Sequence, residues 1–261
     1  MDLKLNGKVA VVTGGSQGIG KAVALALAKE GCKVAVCSRS QNKLDATAAE
    51  FKEMGYELMV KSVDVSTPEE LSVFADDVAA AYGRIDIWVN NVGQFKSKSI
   101  LEQSIDDWNY VMHTNLNSYF IGTQAAARHM KETGGVIVNV SSYGAVLPGV
   151  YRSSYNTSKA AINWFTRCSA AELAPFGICV NAVAPGTINT EMQKASGRTL
   201  ADIEKLAQGF ALHRMGEPEE VAGVVLFLAS DMSSYVDGIV IECSGGKFLA
   251  QNCNTAWTEQ R

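Results

Sequence analysis

The sequence is poor in several features that define particular classes of protein. Its 261 residues include only 5 prolines, and no apolar run approaches the roughly 18 residues that a membrane span needs. Charged residues make up 19% of the chain and the net charge is −4, which argues against nucleic-acid binding as the main activity. Residues 1–12 lack a basic region followed by a long apolar one, so we expect no signal peptide and a cytoplasmic protein.

Metal-binding spacings are also missing. The six cysteines form no Cys-x-x-Cys pair, and the three histidines, His113, His129 and His213, share no zinc-site spacing. Several cysteines lie in apolar segments, as Cys37 does, so we interpret them as small buried hydrophobic residues in a reducing compartment. No metal site is predicted.

Seven short apolar, β-branched runs alternate with helical patterns along the chain. The runs lack polar alternation, as expected of strands covered on both faces. They span residues 8–13, 33–38, 57–63, 85–90, 136–141, 178–184 and 239–242. The helical patterns span residues 20–30, 41–54, 67–82, 104–131, 154–174 and 218–230. This order predicts an α/β fold, a single-domain doubly wound parallel seven-stranded sheet with helices on both faces.

Local signals support these boundaries. Thr67, Pro68 and Glu70 have the spacing of a helix N-cap, a proline in the first turn and a capping box. Three glycines stand where helices should stop: Gly31, Gly55 and Gly83. The longest connection without a strand, residues 187–215, is expected to cover a substrate site, since loops of that length usually serve one.

A glycine-rich segment joins the first run to the first helical pattern. Gly14, Gly18 and Gly20 have a G-x3-G-x-G spacing, a variant of the G-x-G-x-x-G dinucleotide fingerprint. Glycines permit a tight turn and close backbone approach, and the following helix offers free N–H groups to a pyrophosphate. We therefore predict cofactor contacts at Gly14, Ser16, Gln17, Gly18, Ile19 and Gly20.

The end of the second run bears on the choice of dinucleotide. A carboxylate there would bond the ribose 2′-hydroxyl of NAD and repel a 2′-phosphate. Here the run ends in Ser38 and Arg39, and the first acidic residue is Asp45. A hydroxyl and a guanidinium can hold a phosphate, so NADP(H) is predicted over NAD(H).

Tyr155 and Lys159 are four residues apart on a predicted helix, so they share a face. A free tyrosine has a pKa of about 10. An adjacent ammonium should lower that pKa, so that the phenol can exchange a proton with the substrate. Ser142, at the end of the fifth run, can hydrogen-bond a carbonyl oxygen there. Asn115 is a poor helix former inside a long helical pattern, which suggests a kink and a bound water. A satisfied buried amide is the alternative for Asn115.

These motifs occur in one order: the glycine loop, Asn90-Asn91-Val92-Gly93, Asn115, Ser142, Tyr155 with Lys159, and Pro185-Gly186. In that order they closely resemble the short-chain dehydrogenase/reductase family, over residues 8–246. Val92 stands where the family usually has alanine. The resemblance implies a Rossmann-like fold and hydride transfer between a nicotinamide and a secondary alcohol or ketone.

The resemblance also implies roles for individual residues. Tyr155 would be the acid/base, Ser142 would orient the carbonyl, Lys159 would hold the nicotinamide ribose, and Asn115 would hold a water of the proton relay. Further cofactor contacts would be Asp64, Val65, Asn91, Gly93, Tyr155, Lys159, Pro185, Gly186, Ile188 and Thr190. Family members are commonly tetramers, so a homo-oligomer, dimer or tetramer, is expected, and the tail 247–261 is expected either to reach a neighbouring subunit or to be a partly disordered end.

The substrate class is inferred from the residues expected to line its pocket. The expected pocket wall is mostly apolar and aromatic: Tyr143, Val146, Leu147, Tyr151, Met192, Leu206 and Phe210. Of these, Tyr143, Tyr151 and Met192 are predicted substrate contacts together with Ser142. An apolar wall suits a small-molecule substrate such as a hydroxysteroid or bile acid. The long tail and the tyrosine-rich segment before Tyr155 also resemble bacterial hydroxysteroid dehydrogenases.

Three alternatives stay open. The first is a 3-oxoacyl-thioester reductase, whose carrier protein would meet Lys96, Lys98, Arg152 and Lys194. The second is a polyol or sugar dehydrogenase. The third is a non-catalytic NADP(H) sensor, which would need the glycine loop but not the Ser142, Tyr155 and Lys159 group.

Overall fold

Seven strands form one sheet in the computed structural model, which describes residues 2–194, 199–247, 249 and 257, without the side chains of residues 192, 194 and 200. The strands are β1 (Val9–Thr13), β2 (Lys33–Ser38), β3 (Leu58–Ser62), β4 (Ile87–Asn90), β5 (Gly135–Val140), β6 (Ile178–Pro185) and β7 (Val240–Cys243). They lie in the order β3-β2-β1-β4-β5-β6-β7, and every neighbouring pair is parallel. The predicted doubly wound sheet is confirmed.

The helices of the described residues cover both faces of this sheet. They are α1 (Gly18–Lys29), α2 (Gln41–Glu53), α3 (Pro68–Tyr82), α4 (Ile105–Met112), α5 (Ser118–Met130), α6 (Ser153–Leu173), α7 (Glu191–Lys194), α8 (Leu200–Ala207) and α9 (Pro218–Ala229). Val9 and Val11 of β1 join a core with α3, α5 and α6, whereas Ala10 and Val12 join one with α1, α2 and α9. Both sides of the strand are therefore buried, which explains the missing polar alternation.

The order in which strands are added to the sheet reverses between β1 and β4. These two strands are neighbours in the sheet, although β2 and β3 lie between them in sequence. The segments that leave the carboxyl ends of β1 and β4 turn toward opposite faces. A crevice opens at such a switch point, and ligands of open α/β sheets bind there.

Helix boundaries follow the predicted signals with one exception. Gly31, Gly55 and Gly83 have φ angles of +81°, +86° and +84°, so each ends its helix in the left-handed region that favours glycine. The capping box predicted at Thr67 is wrong, because its side chain caps no backbone N–H. Glu70 instead accepts a hydrogen bond from the Asp64 N–H at 2.8 Å.

The helix predicted over residues 104–131 is interrupted. A π-helical turn, His113–Asn117, separates α4 from α5. Ser104 caps α4 by accepting from the Asp107 N–H at 3.1 Å. A π turn inserts one extra residue into the helix, and such turns gather at functional sites. Periodicity alone could not reveal it, because the apolar pattern continues on both sides.

The described residues of the long segment 187–215 contain no strand, and they form the short helices α7 and α8. A capping box between Thr199 and Asp202 starts α8. The segment is tied to α9 where both guanidinium nitrogens of Arg214 donate to Glu220 at 2.7 Å. Its two ends meet in a parallel bridge between Ile188 and Gly216.

The described cysteines are all free, and they differ in exposure. Cys32 and Cys37 are buried, as expected, and burial raises the pKa of the Cys37 thiol to about 12. Cys168 is exposed on α6, against the expectation for these residues. Cys253 lies outside the described residues. Within the described part of the chain, no helix is long and apolar enough to cross a membrane, and no group of acidic, cysteine or histidine side chains could hold a metal ion.

Candidate active site

A cavity of about 390 Å³ opens at the switch point. Every residue predicted to contact the cofactor lines it: Gly14, Ser16, Gln17, Gly18, Ile19, Gly20, Ser38, Arg39, Asp64, Val65, Asn91, Gly93, Tyr155, Lys159, Pro185, Gly186, Ile188 and Thr190. Ser142 and Tyr143 line the same cavity. The lining residues therefore come from the segments that follow each of the strands β1 to β6.

The glycine loop is shaped by contacts that only glycine allows. A Cβ on Gly20 would lie 2.3 Å from the Gly14 carbonyl oxygen and 2.4 Å from Asn91 Nδ2. A Cβ on Gly15 would lie 2.6 Å from Val36 Cγ1, so Gly15 is also required, although it falls outside the G-x3-G-x-G spacing. Gly14 and Gly18 have φ angles of +68° and +54°.

The start of α1 is suited to an anion. Gln17, the N-cap residue, makes no side-chain cap, and the first turn contains no acidic residue. The free N–H groups and the positive end of the helix dipole therefore face the loop. This cradle fits the pyrophosphate of a dinucleotide.

Asn91 fixes the other wall of the loop. Its Nδ2 donates to the Thr13 and Gly14 carbonyl oxygens at 3.0 and 3.3 Å, and its backbone N–H donates to Thr13 Oγ1 at 3.0 Å. Asn91 therefore connects the end of β4 to the end of β1. Its side chain holds protein as well as facing the cavity.

Two cations stand where β2 ends. The Arg39 Nη1 donates to Tyr110 Oη on α4 at 3.4 Å. Lys43, in the first turn of α2, donates from Nζ to Gln17 Oε1 at 2.7 Å and also lines the cavity. Sequence reasoning overlooked Lys43. The signal was available, because Lys43 follows the N-cap Ser40 by one helical turn, and Ser40 accepts from its N–H.

Asp64 lies opposite, at the adenine end of the predicted cofactor site. Its carboxylate accepts hydrogen bonds from the Ser66 N–H and hydroxyl at 3.0 and 2.7 Å. Partial burial works against ionisation, but the Ser66 donors and the charge of Arg39 lower the pKa of Asp64 below its ordinary value. Asp64 is therefore an anion at neutral pH.

Tyr155 and Ser142 meet at the inner part of the cavity. Burial raises the pKa of Tyr155, while a hydrogen bond with Ser142 and the charge of Arg152 act in the opposite direction. Ser142 Oγ also accepts from the Gly144 N–H at 3.0 Å. The hydroxyl of its neighbour Ser141 is directed to α6, where the Lys159 carbonyl oxygen at 3.3 Å and Asn163 Oδ1 accept from it, although Ser141 also lines the cavity.

Lys159 lies on the same helix face as Tyr155, with Nζ 5.9 Å from the Tyr155 ring centroid. Its ammonium donates to the Val140 carbonyl oxygen at 2.8 Å and to Tyr119 Oη at 3.2 Å. Burial lowers the pKa of Lys159 to about 7. The expectation that Lys159 brings the pKa of Tyr155 below its ordinary value is wrong for this structure, because burial outweighs the charges and raises that pKa.

Asn115 lies in the π-helical turn and is fully buried. Its Oδ1 accepts from the Gln94 N–H at 2.8 Å, and its Nδ2 donates to the Gln94 carbonyl and to Ser158 Oγ at 2.9 and 3.0 Å. Asn115 does not line the cavity. The helix is locally irregular at Asn115, where the π-helical turn lies, and the alternative of a satisfied buried amide is confirmed.

Most of the predicted substrate wall lies outside the lining of this cavity. Tyr143 lines the cavity, but Tyr151 has a φ of +63° and an exposed side chain outside the lining. Val146 and Leu147 are exposed too, and Phe210 is buried elsewhere. The Met192 side chain lies outside the described residues. The substrate end is instead lined by four residues that the sequence analysis did not select, Gln94, Phe95, Gly149 and Asn156, and by Arg152, which it had assigned to the carrier-protein patch.

The described residues of the C-terminal tail contact their own chain, as Lys247 does through Nζ, which donates to the Gly209 carbonyl at 3.4 Å. Trp257 stacks on His213 with centroids 4.4 Å apart, and its Nε1 donates to the Ala211 carbonyl at 3.0 Å. Phe248 and residues 250–256 and 258–261 lie outside the described part of the chain. The expected contact with a neighbouring subunit therefore stays a prediction.

Comparisons with known proteins agree with this geometry. A family model described as enoyl-(acyl carrier protein) reductase matches residues 14–247. A 3-oxoacyl-[acyl-carrier-protein] reductase of Aquifex aeolicus is 38% identical over 95% of this chain and 100% of its own length. A short-chain type dehydrogenase/reductase from Mycobacterium marinum superposes with a TM-score of 0.90 at 37% identity, covering 95% of this chain and 98% of its own.

A second solved relative carries ligands. It is a 7α-hydroxysteroid dehydrogenase complexed with NADH and 7-oxo glycochenodeoxycholic acid. It superposes with a TM-score of 0.90 at 32% identity, covering 94% of this chain and 96% of its own. The similarity therefore extends to relatives named for two different substrate classes.

Proposed function

The chain belongs to the short-chain dehydrogenase/reductase family, and from this premise we propose that it is an NADP(H)-dependent reductase of 3-oxoacyl thioesters. The observation that carries the proposal is one cavity in which the glycine loop, Arg39, Ser142, Tyr155 and Lys159 face the same space. The product would be the 3-hydroxyacyl thioester.

NADP(H) is proposed over NAD(H) because of the charge at the end of β2. Ser38, Arg39 and Lys43 line the cavity there, and β2 ends without a carboxylate that would repel a 2′-phosphate. The glycine cradle and the start of α1 would hold the pyrophosphate, and Lys159 would face the nicotinamide ribose. A bound nicotinamide supplies the hydride that reduces the carbonyl carbon.

We propose that Tyr155 donates the proton. Reduction needs a protonated phenol beside the carbonyl oxygen, and the raised pKa of Tyr155 keeps it protonated at neutral pH. Ser142 would donate a hydrogen bond to the same oxygen as negative charge develops on it. Asn115 does not line the cavity, so we propose that it acts through its bonds to Gln94, which keep the adjoining loop in place.

The thioester is favoured over the steroid by the lining of the substrate end. Val146, Leu147 and Tyr151, from the apolar wall that suited a steroid, are exposed and do not line the cavity. Gln94, Arg152 and Asn156 offer polar groups to an amide-rich thioester arm, and Phe95 and Tyr143 offer flat apolar surface. Relatives at 38% identity are named for this reaction.

The basic patch predicted to meet a carrier protein carries less free positive charge than its sequence indicates. Lys96 and Lys98 both pair with Asp107, at 3.6 and 3.0 Å. Arg152 lies over the Phe95 ring at 5.0 Å and makes no ion pair among the described residues. The Lys194 side chain lies outside the described part of the structure. We therefore propose that the thioester arm, more than the carrier surface, is recognised at the mouth of the cavity.

Assembly and location are proposed as a cytoplasmic homo-oligomer, a dimer or tetramer. Large aromatic side chains on α5 and α6 are exposed, with 53% of Phe120 and 66% of Trp164 accessible. Exposed apolar groups of this size favour an interface. Light scattering coupled to size exclusion would test this: a monomer at micromolar concentration would contradict it.

The function itself is tested by a substrate panel. Three substrates are tested with NADPH and with NADH: the acetoacetyl thioester of N-acetylcysteamine, a 7-oxo bile acid and a ketose. The absorbance of the reduced nicotinamide is followed. We expect the highest kcat/KM for the thioester with NADPH, and loss of turnover in Tyr155→Phe. Faster turnover of the bile acid would establish the hydroxysteroid alternative, and dinucleotide binding without any turnover would favour a sensor.

A further inference from the structure

Lys159 is held from behind by a second phenol, that of Tyr119 on α5. Both residues are buried, since Lys159 is 3% exposed and Tyr119 is 1% exposed. Tyr119 Oη donates to the Val140 carbonyl at 2.7 Å, which directs an oxygen lone pair toward Lys159 Nζ. Val140 and Tyr119 therefore form a fixed pair of acceptors at the end of β5.

An ammonium has three N–H donors in a fixed arrangement. Two of those of Lys159 are used by the Val140 carbonyl and the Tyr119 hydroxyl. The Nζ also lies 3.5 Å from the position a Cβ would take on Gly93, a residue that lines the cavity. The remaining donor is thus directed to the cavity once the other two are fixed.

We propose that Tyr119 is a positioning residue: its hydroxyl fixes the Lys159 ammonium against β5, keeps it charged, and leaves one N–H for the ligand. The role in turnover rests on the function proposed above, but the contact itself does not. A hydroxyl that accepts from an ammonium stabilises the charged form, which matters most in a buried place.

The hydroxyl and the ring of Tyr119 make separable contributions. Lys159 Nζ lies 4.9 Å from the Tyr119 ring centroid, so a phenylalanine would keep the ring contact and lose the hydroxyl with its hydrogen bonds to Lys159 and Val140. The titratable side chains that face Lys159 are Tyr119 from α5 and Tyr155 from α6, whereas β5 offers a neutral carbonyl and the segment after β4 offers glycine. No ion pair involves Lys159 within the described residues.

The test is Tyr119→Phe, with the Lys159 signal followed by ¹³C NMR of lysine-labelled protein and assigned with Lys159→Met. Removing the acceptor destabilises the charged form, so the pKa of Lys159 should fall by about one unit. Ser118→Ala is the matched control, since Ser118 is the adjacent buried hydroxyl and donates to the Thr114 carbonyl at 2.6 Å. It should leave Lys159 unchanged. Tyr119→Met carries the same test if the phenylalanine variant fails to fold.

Two functional readouts accompany the titration. The NADPH dissociation constant should rise about tenfold in Tyr119→Phe, and the alkaline limb of kcat/KM should move to lower pH, while Ser118→Ala changes neither. An unchanged Lys159 pKa in Tyr119→Phe would overturn the proposal even if turnover fell. A lowered Lys159 pKa in a protein that reduces no carbonyl compound would support the contact and count against the proposed function alone.

Discussion

The two ends of the cavity are built differently. The nucleotide end is formed by backbone and glycine at the carboxyl ends of adjacent strands, with contacts so close that Gly15 and Gly20 tolerate no side chain. The substrate end is formed by connecting segments, in which Tyr151 takes a left-handed φ and Val146 is exposed. Cofactor binding therefore depends on local sequence, whereas substrate choice depends on how separate loops pack together.

The largest effect is expected where the two ends meet. Tyr155→Phe removes the proposed proton donor, so kcat should fall about a thousandfold while the NADPH dissociation constant stays within about twofold. Tyr151→Phe is the matched control, because it lies four residues earlier and outside the lining. Kinetics and fluorescence titration on both variants separate chemistry from binding. Full activity in Tyr155→Phe would remove its assigned role.

The nucleotide end can be broken through its backbone. In Gly20→Ala the new methyl would collide with the Gly14 carbonyl, so the loop must shift and NADPH binding should weaken about 10- to 100-fold. Gly223→Ala makes the same change inside α9, where nothing lies within 4 Å, and should leave binding intact. Equal affinities in the two variants would show that the tight loop is not required.

The charge at the end of β2 is a smaller determinant. Arg39→Ala should weaken NADPH binding about tenfold and leave NADH binding nearly unchanged, because only the 2′-phosphate is proposed to use the guanidinium. Lys52→Ala, in the last turn of α2, is the control for loss of a surface charge. A matched loss with both dinucleotides would mean that Arg39 supports the fold and not the phosphate.

The smallest effect concerns how the segment 187–215 is anchored to α9. Hydrogen bonds from Arg214, and then from the Glu217 N–H, lower the pKa of Glu220 from 4.5 to about 2. A lowered pKa stabilises the fold above the unfolded value and loses that effect as pH falls from 4.5 toward about 2. Glu220→Gln should lower Tm by about 2 °C at neutral pH, since the pair is partly exposed. Calorimetry should show the difference shrinking in acid; a constant difference would contradict the pairing.

The same contrast explains what could be predicted from the sequence. The parallel seven-stranded sheet follows from strand periodicity, and the nucleotide end follows from Gly14, Gly18 and Gly20, which lie within a few residues of one another. Lys43 and Tyr110 were missed because their approach to Gln17 and Arg39 depends on the packing of α2 and α4 beside the loop.

The failures share a physical cause. Tyr151 and Phe210 look like pocket residues by composition, but where they point depends on contacts far away in the chain. Lys159 was correctly placed near Tyr155, yet its ammonium is engaged by Tyr119 and Val140, from elements 40 and 19 residues away. The raised pKa of Tyr155 reflects burial, which no i, i+4 spacing reveals.

The central claim, that hydride passes to a carbonyl carbon of a 3-oxoacyl thioester in this cavity, can be measured directly. NADPH carrying deuterium at both C4 positions of the nicotinamide is incubated with the protein and acetoacetyl thioester, and the product is examined by mass spectrometry. We predict a 3-hydroxybutanoyl thioester with deuterium on the carbinol carbon, formed by the parent protein and not by Tyr155→Phe. An unlabelled product, or no product from any carbonyl compound offered, would contradict the account.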